Sequence, residues 1–187
     1  IRSSERRFYQ KITDIYAQCS VDYSIDSQEA QQFFATVQNK LHFAISGRTA
    51  AEIISSRVNS AKPNVGLTNW KNSQQGNVRK SDVLVAKNYL DEEELAGLNS
   101  IVEQYLIFAE SQAKRKQAMF MLDWDQKLSE FLKLNDRDIL GDFGKVSHDV
   151  AEALALGEYE KYRTEQDKNY ISDFDRLAKK LLKRNKK

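Results

Sequence analysis

The sequence predicts an all-α fold, a single bundle of about seven helices. Three observations predict it. Apolar residues recur at three- and four-residue spacing through most of the chain, and no run shows the strict alternation of a half-buried strand. Only seven glycines and one proline occur in 187 residues, too few for a turn-rich all-β protein. The 41% hydrophobic content is enough for a core, and the 30% charged content suits long solvated helix faces.

Phe8, Ile12, Ile15 and Tyr16 fall on one face of a first helix over residues 4–18. A polar connection, 20–26, leads to Ser27, which is placed to cap a second helix carrying Phe34, Val37, Leu41 and Ile45. Thr49-Ala50-Ala51-Glu52 has the form of a capping box, so a third helix begins there and ends before Pro63. Residues 61–80, AKPNVGLTNWKNSQQGNVRK, form one long irregular loop. Ser81 or Asp82 opens a short helix through Val83, Leu84, Ala86 and Leu90.

Asp91 begins the longest helix. Acidic residues stand at its start and Lys114-Arg115-Lys116 near its end, each opposite the favourable pole of the helix dipole. Leu95, Leu98, Ile101, Val102, Tyr105, Phe108 and Ala109 form its apolar stripe. A further helix over 122–134 buries Trp124, Leu128, Phe131 and Leu132. DRDILGDFGKVSH reads as a turn, after which Ser147 caps a helix with Val150, Leu154 and Leu156. The chain divides into a helical body, residues 1–165, and an amphipathic tail helix, 166–187. Ile171, Phe174, Leu177 and Leu181 make the apolar edge of that tail, suited to association or to packing on the body.

Composition excludes several classes. A formal net charge of +2 demands neither nucleic acid nor a membrane surface. No apolar run approaches the roughly 20 residues of a membrane span. Cys19 is the single cysteine, which rules out an internal disulfide and suits a reducing cytoplasm. Cys19, His42 and His148 do not supply a structural zinc site, and no calcium loop is present, so no metal or other cofactor is expected. Ile1 stands where a Met would begin a protein, and IRSSERRFYQ has no signal-peptide core, which reads as a fragment of a longer chain.

The strings IRSSERRFYQKITDIYA, FFATVQNKLHFAISGRTAAEII, NVGLTNW, VAKNYLDEEELAGLN, AKRKQAMFMLDW and FLKLNDRDIL resemble the RhuM family of bacterial proteins. The resemblance runs from Ile1 to about Tyr162 and brings identity rather than chemistry. It implies an N-terminal region like a helix-turn-helix DNA-binding module ahead of this chain, and a link to virulence through the family name. A second likeness is to the Fic/Doc motif H-x-F-x-(D/E)-G-N-(G/K)-R, at His42-Phe43-Ala44-Ile45-Ser46-Gly47-Arg48-Thr49-Ala50. His42 and Gly47 keep its spacing. Phe43 comes one position early, Ser46 replaces the acid, the Asn is absent, and Arg48 arrives two positions early.

The candidate site therefore lies at the corner Val37–Ile54, with Gln38, Asn39, His42, Arg48 and Thr49, and with Asn69 and Trp70 as a lid from the long loop. His42 is a candidate base or ligand contact, against the plainer role of a boundary histidine bonded to Gln38 one turn earlier. Arg48 and Thr49 at a helix start can hold an anion, against simple capping. Trp70 can equally staple its loop to the core. The expected function is non-catalytic: a cytoplasmic association and effector domain, forming homo-oligomers and reaching DNA through the N-terminal module. The alternative is a divergent Fic/Doc-type nucleotide- or phosphate-transferring enzyme or toxin.

Overall fold

The computed structural model describes residues 3–168, apart from residues 25, 72, 116 and 143. Among them are six α-helices: α1 (Ser3–Cys19), α2 (Gln28–Ser46), α3 (Ala50–Arg57), α4 (Glu92–Ala113), α5 (Met121–Leu134) and α6 (His148–Lys168). No strand occurs among the described residues; a lone parallel bridge joins Ser20 to Met119. The tail residues Ile171, Phe174, Leu177 and Leu181 lie outside the described residues.

The helices begin where the sequence supplies caps. Ser27 Oγ accepts the Ala30 N–H, and Gly47 ends α2 in the left-handed region at φ 67°. Thr49 and Glu52 close the expected capping box on α3, and Asp91 and Glu94 close another on α4. The start of α5 is capped from two sides. Asp123 accepts the Phe120 N–H, and Asp22, from the 20–26 connection, accepts the Met121 N–H at 2.9 Å.

α4 runs through the body with α1 and α2 packed against it, while α5 packs on α2 and α6 on α3. The expected faces of α1 and α4 are the buried ones: Phe8, Ile12, Ile15 and Tyr16 on the first, Leu98, Ile101, Tyr105 and Ala109 on the second. Tyr16 sits edge-on to Phe33 with ring centroids 5.4 Å apart, and 4.9 Å from Trp124. Its hydroxyl meets that of Tyr105 at 3.3 Å, and burial raises both phenols well above their ordinary pKa. Lys40 of α2 is nearly buried and reaches Asp125 of α5 at 2.6 Å and Ser129 at 3.0 Å. That pair joins two helices through a charge-assisted bond.

Two expectations need correction. Residues 80–84 are turns and Ala86–Tyr89 is a short 3-10 helix, in place of an α-helix over 81–90. The side chains there bind backbone groups that a helix would use itself. Asp82 accepts the Arg79 N–H, Asn88 donates to the Asp82 carbonyl, and the Tyr89 hydroxyl donates to that of Val83. The helix total also comes to six α-helices among the described residues, against about seven expected on pattern alone. On α6 the buried residues are Ala151, Ala155 and Tyr159, whereas Val150 is 60% exposed and Leu154 42%. Small residues let α6 approach α3 closely, which turns the larger aliphatic ones outward.

The 61–80 loop is irregular apart from 3-10 turns at Pro63–Gly66 and Ser73–Gln75. Its Val78 is tied to α6 through Gln166, which accepts the Val78 N–H at 3.0 Å and donates to the Val78 carbonyl at 3.3 Å. Glu158 of α6 accepts the Ser60 N–H and pairs with Lys161, which together hold its carboxyl at about 2. Gly66 has φ 89°, and a Cβ there would stand 2.3 Å from the Arg57 carbonyl oxygen. Replacing Gly66 by Ala should therefore destabilise the domain by about 2 kcal/mol or more. A denaturation midpoint equal to that of the parent protein would contradict this geometry.

Arg57, at the end of α3, makes two bonds of 2.5 Å to Glu94 and a third of 2.8 Å to the Tyr89 carbonyl. The guanidinium holds the Glu94 carboxyl below its ordinary 4.5. The pair's contribution is thus complete above that value and is lost as pH falls through the lower folded-state value. Glu94→Gln should cost about 1.5–3 kcal/mol near pH 7. Urea titrations of both proteins should show that gap narrowing as pH falls below 4.5; a gap independent of pH would remove the role assigned to the charge.

Candidate functional site

A cleft of about 420 Å³ opens between α1, α2 and α4. Phe8 and Tyr9 line it from α1, Leu41 and His42 from α2, and Leu98, Val102, Leu106 and Ile107 from α4. Phe8, Leu41, His42 and Leu98 are buried and form its deep end; Ile107 is exposed and stands at its mouth. Helical spacing builds these walls: Leu41 and His42 follow Gln38 by one turn, and Leu98, Val102 and Leu106 stand four apart along α4. Lys87 completes the lining from the 3-10 turn between the long loop and α4. It is only 4% exposed, an unusual state for a lysine. Lys11 and Glu110 meet at 3.5 Å, and Glu103 lies exposed, both at the cleft.

The Nδ1 of His42 lies 2.9 Å from the Gln38 carbonyl oxygen, so Nδ1 carries the hydrogen and the ring is fixed to its own helix. Gln38 is exposed and lines the same cleft. The other corner residues point elsewhere. Asn39 accepts the Ala50 N–H at 3.2 Å, which ties α2 to the start of α3. Thr49 is 1% exposed and accepts the Glu52 N–H, while Glu52 accepts the Thr49 N–H and, through its other oxygen, the Lys145 N–H. These backbone bonds hold the Glu52 carboxyl below its ordinary pKa. Gly144 covers this corner so closely that a Cβ would come within 2.7 Å of Thr49 Cγ2. Three N–H groups at or beside the start of α3 are thus engaged by side chains, with a carboxylate among them.

Arg48 is exposed and lines a different concavity, shared with Phe43, Glu52, Gly141 and Lys145. The structure therefore groups Gln38 with His42, groups Asn39 with Thr49, and leaves Arg48 apart from His42. Trp70 is 5% exposed and its indole N–H donates to the Asn77 carbonyl, so it holds its own loop on the core. The Asn69 N–H donates to the Asn88 carbonyl at 3.1 Å, which fastens the loop beside Lys87 in sequence. Among the described residues no cluster of three or more His, Cys, Asp or Glu is arranged to hold a metal ion.

Lys87 and the apolar walls were not among the sequence candidates. The signal for Lys87 was available: a lone charge inside Val83-Leu84-Val85-Ala86 and Tyr89-Leu90. The cleft itself needs the packing of three helices and has no local signature.

The described residues thus form an all-α body with a mainly apolar cleft between three of its helices. More particularly, residues 1–171 match the model of the Virulence protein RhuM family, and the chain belongs to that family. No curated protein and no solved structure matches it. No helix among the described residues is long and apolar enough to cross a membrane.

The placement of His42 can be checked in solution. Long-range ¹H–¹⁵N correlation spectra near neutral pH should show Nδ1 protonated, as donation to the Gln38 carbonyl requires. An unprotonated Nδ1 would refute the bond.

Proposed function

We propose that this chain is a non-catalytic association and effector-sensing domain of a RhuM-family protein. It would act on DNA through a helix-turn-helix segment that the family resemblance implies ahead of it. The cleft between α1, α2 and α4 carries the effector part of this reading. Its walls come from helices that pack on one another, so an occupant alters how α1 and α2 rest on α4. Such a shift is a physical route from ligand to the relative placement of attached DNA-reading heads, which dimeric regulators hold at fixed spacing. The separation of His42 from Arg48, and the Glu52 carboxylate at the α3 start, weigh against the Fic/Doc alternative, which needs a base and an anion cradle facing one substrate.

The chain should form a homo-oligomer, read by light scattering as a multiple of 21.6 kDa. It should bind DNA only weakly by itself, and nucleotides with or without Mg²⁺ should leave its melting temperature unchanged. A monomer at all concentrations would remove the association role. Submicromolar, sequence-selective DNA binding by this chain, or a clear nucleotide shift, would overturn the assignment of parts.

A further inference from the structure

We propose that Val21, Phe120 and Leu122 form the face on which a second copy of this chain docks about a two-fold axis. They stand where the end of α1 meets the start of α5. The proposal rests on the association reading and gives it a surface; the cleft plays no part in it.

The patch is built by the backbone. The Met119 N–H donates to the Cys19 carbonyl at 2.9 Å, and the Val21 N–H to the Met119 carbonyl at 3.0 Å. This parallel pairing sets Ser20 beside Met119, and so sets Val21 beside Phe120 on the opposite, outer face. Val21, Phe120 and Leu122 are each more than half exposed. Single exposed aliphatics are ordinary, whereas a cluster that includes an aromatic marks an interaction surface. Phe120 is also out of place by local rules. It occupies the N-cap of α5, where Ser, Thr, Asp or Asn would accept a backbone N–H, and its ring accepts none. The capping falls instead to Asp123 and Asp22, which accept the Phe120 and Met121 N–H groups.

Charge on the two flanks selects the occupant. Exposed Lys114 lines a concavity with Val21 and Ala118, and exposed Arg115 follows it in the chain. Asp22 and Asp123 stand outside that concavity, at the first turn of α5. None of these four forms an ion pair among the described residues. Their charges sum to zero, which favours neither DNA nor an anionic membrane. A two-fold axis through the apolar centre brings one copy's Lys114 and Arg115 toward the other's Asp22 and Asp123. An apolar centre with oppositely charged flanks is the make-up of a self-complementary interface. α1 has 17 residues, so it is about 25 Å long. A DNA-reading segment ahead of Ser3 would join at its far end and leave this face to the second copy.

The test measures self-association of the full chain by sedimentation equilibrium and light scattering. Phe120→Ser is the sharpest variant, because serine is the better N-cap. It should keep the parent's helical circular dichroism and yet weaken the dimer by about 10- to 100-fold. Val21→Thr/Phe120→Ser/Leu122→Gln should be monomeric at concentrations where the parent is dimeric. Lys114→Glu/Arg115→Glu leaves the apolar centre and the caps untouched, and should weaken the dimer by about 10-fold. Ile107→Ser, which removes an exposed aliphatic at the cleft mouth, should not weaken it. A parent dimer that survives the triple variant or the charge reversal, or that Ile107→Ser weakens as much as Phe120→Ser, would overturn this surface and leave the association reading standing. A parent that is monomeric at all concentrations would remove both.

Discussion

The Glu94 carboxylate is the point on which the arrangement turns. It caps its own helix by accepting the Asp91 N–H, and it receives the Arg57 guanidinium from the end of α3. Arg57 in turn holds the Tyr89 carbonyl. One ion pair therefore fixes three things together: the end of α3, the 3-10 turn at Ala86–Tyr89, and the first turn of α4. The turn bears Lys87 and α4 bears the long wall of the cleft. Without this joint, the turn and the α4 wall of the cleft would not keep a common geometry. The pair is only partly screened from water, with side chains 22% and 17% exposed, so it avoids the full desolvation cost of a buried ion pair.

A second principle governs the corner between α2 and α3. Three polar side chains there serve the backbone: Asn39 for Ala50, Thr49 for Glu52, Glu52 for Thr49 and Lys145. A helix start with free N–H groups would attract anions, but here the protein's own carboxylate occupies that position. The corner is an internal fastening between α2, α3 and the loop at 144–145. His42, by contrast, lines the cleft between α1, α2 and α4.

Much of the fold was legible because its signals are local. Ser27, Thr49–Glu52 and Asp91–Glu94 each place a cap within four residues of the group it serves, and the stripes of α1 and α4 follow helical spacing. The failures arise where distant partners decide. Val83 to Leu90 has the composition of a helix, yet the Asn88 and Tyr89 side chains donate to the carbonyls of Asp82 and Val83 and hold the segment in turns. On α6, Ala151 and Ala155 are buried in preference to Val150 and Leu154 because close helix approach favours small residues, which hydrophobicity alone ranks below leucine. In the site, Gln38 and His42 were legible as members of one group. Lys87 and the α4 wall were not, because three helices far apart in sequence must pack before a cleft exists.

The bonds from Asp22 to Met121 and from Cys19 and Val21 to Met119 join α1 to a segment about a hundred residues further on, the first of them across a separation of 99. During synthesis α1 can lean on α2 through Tyr9, Tyr16, Phe33 and Phe34 soon after both emerge. Its remaining partners, Tyr105 and Trp124, do not yet exist. At ribosomal speed the wait is roughly 5–20 s. For that interval the α1–α2 pair presents its inner aromatic surface to the cell, and the order of translation, rather than the final packing, sets how long the young chain must be shielded.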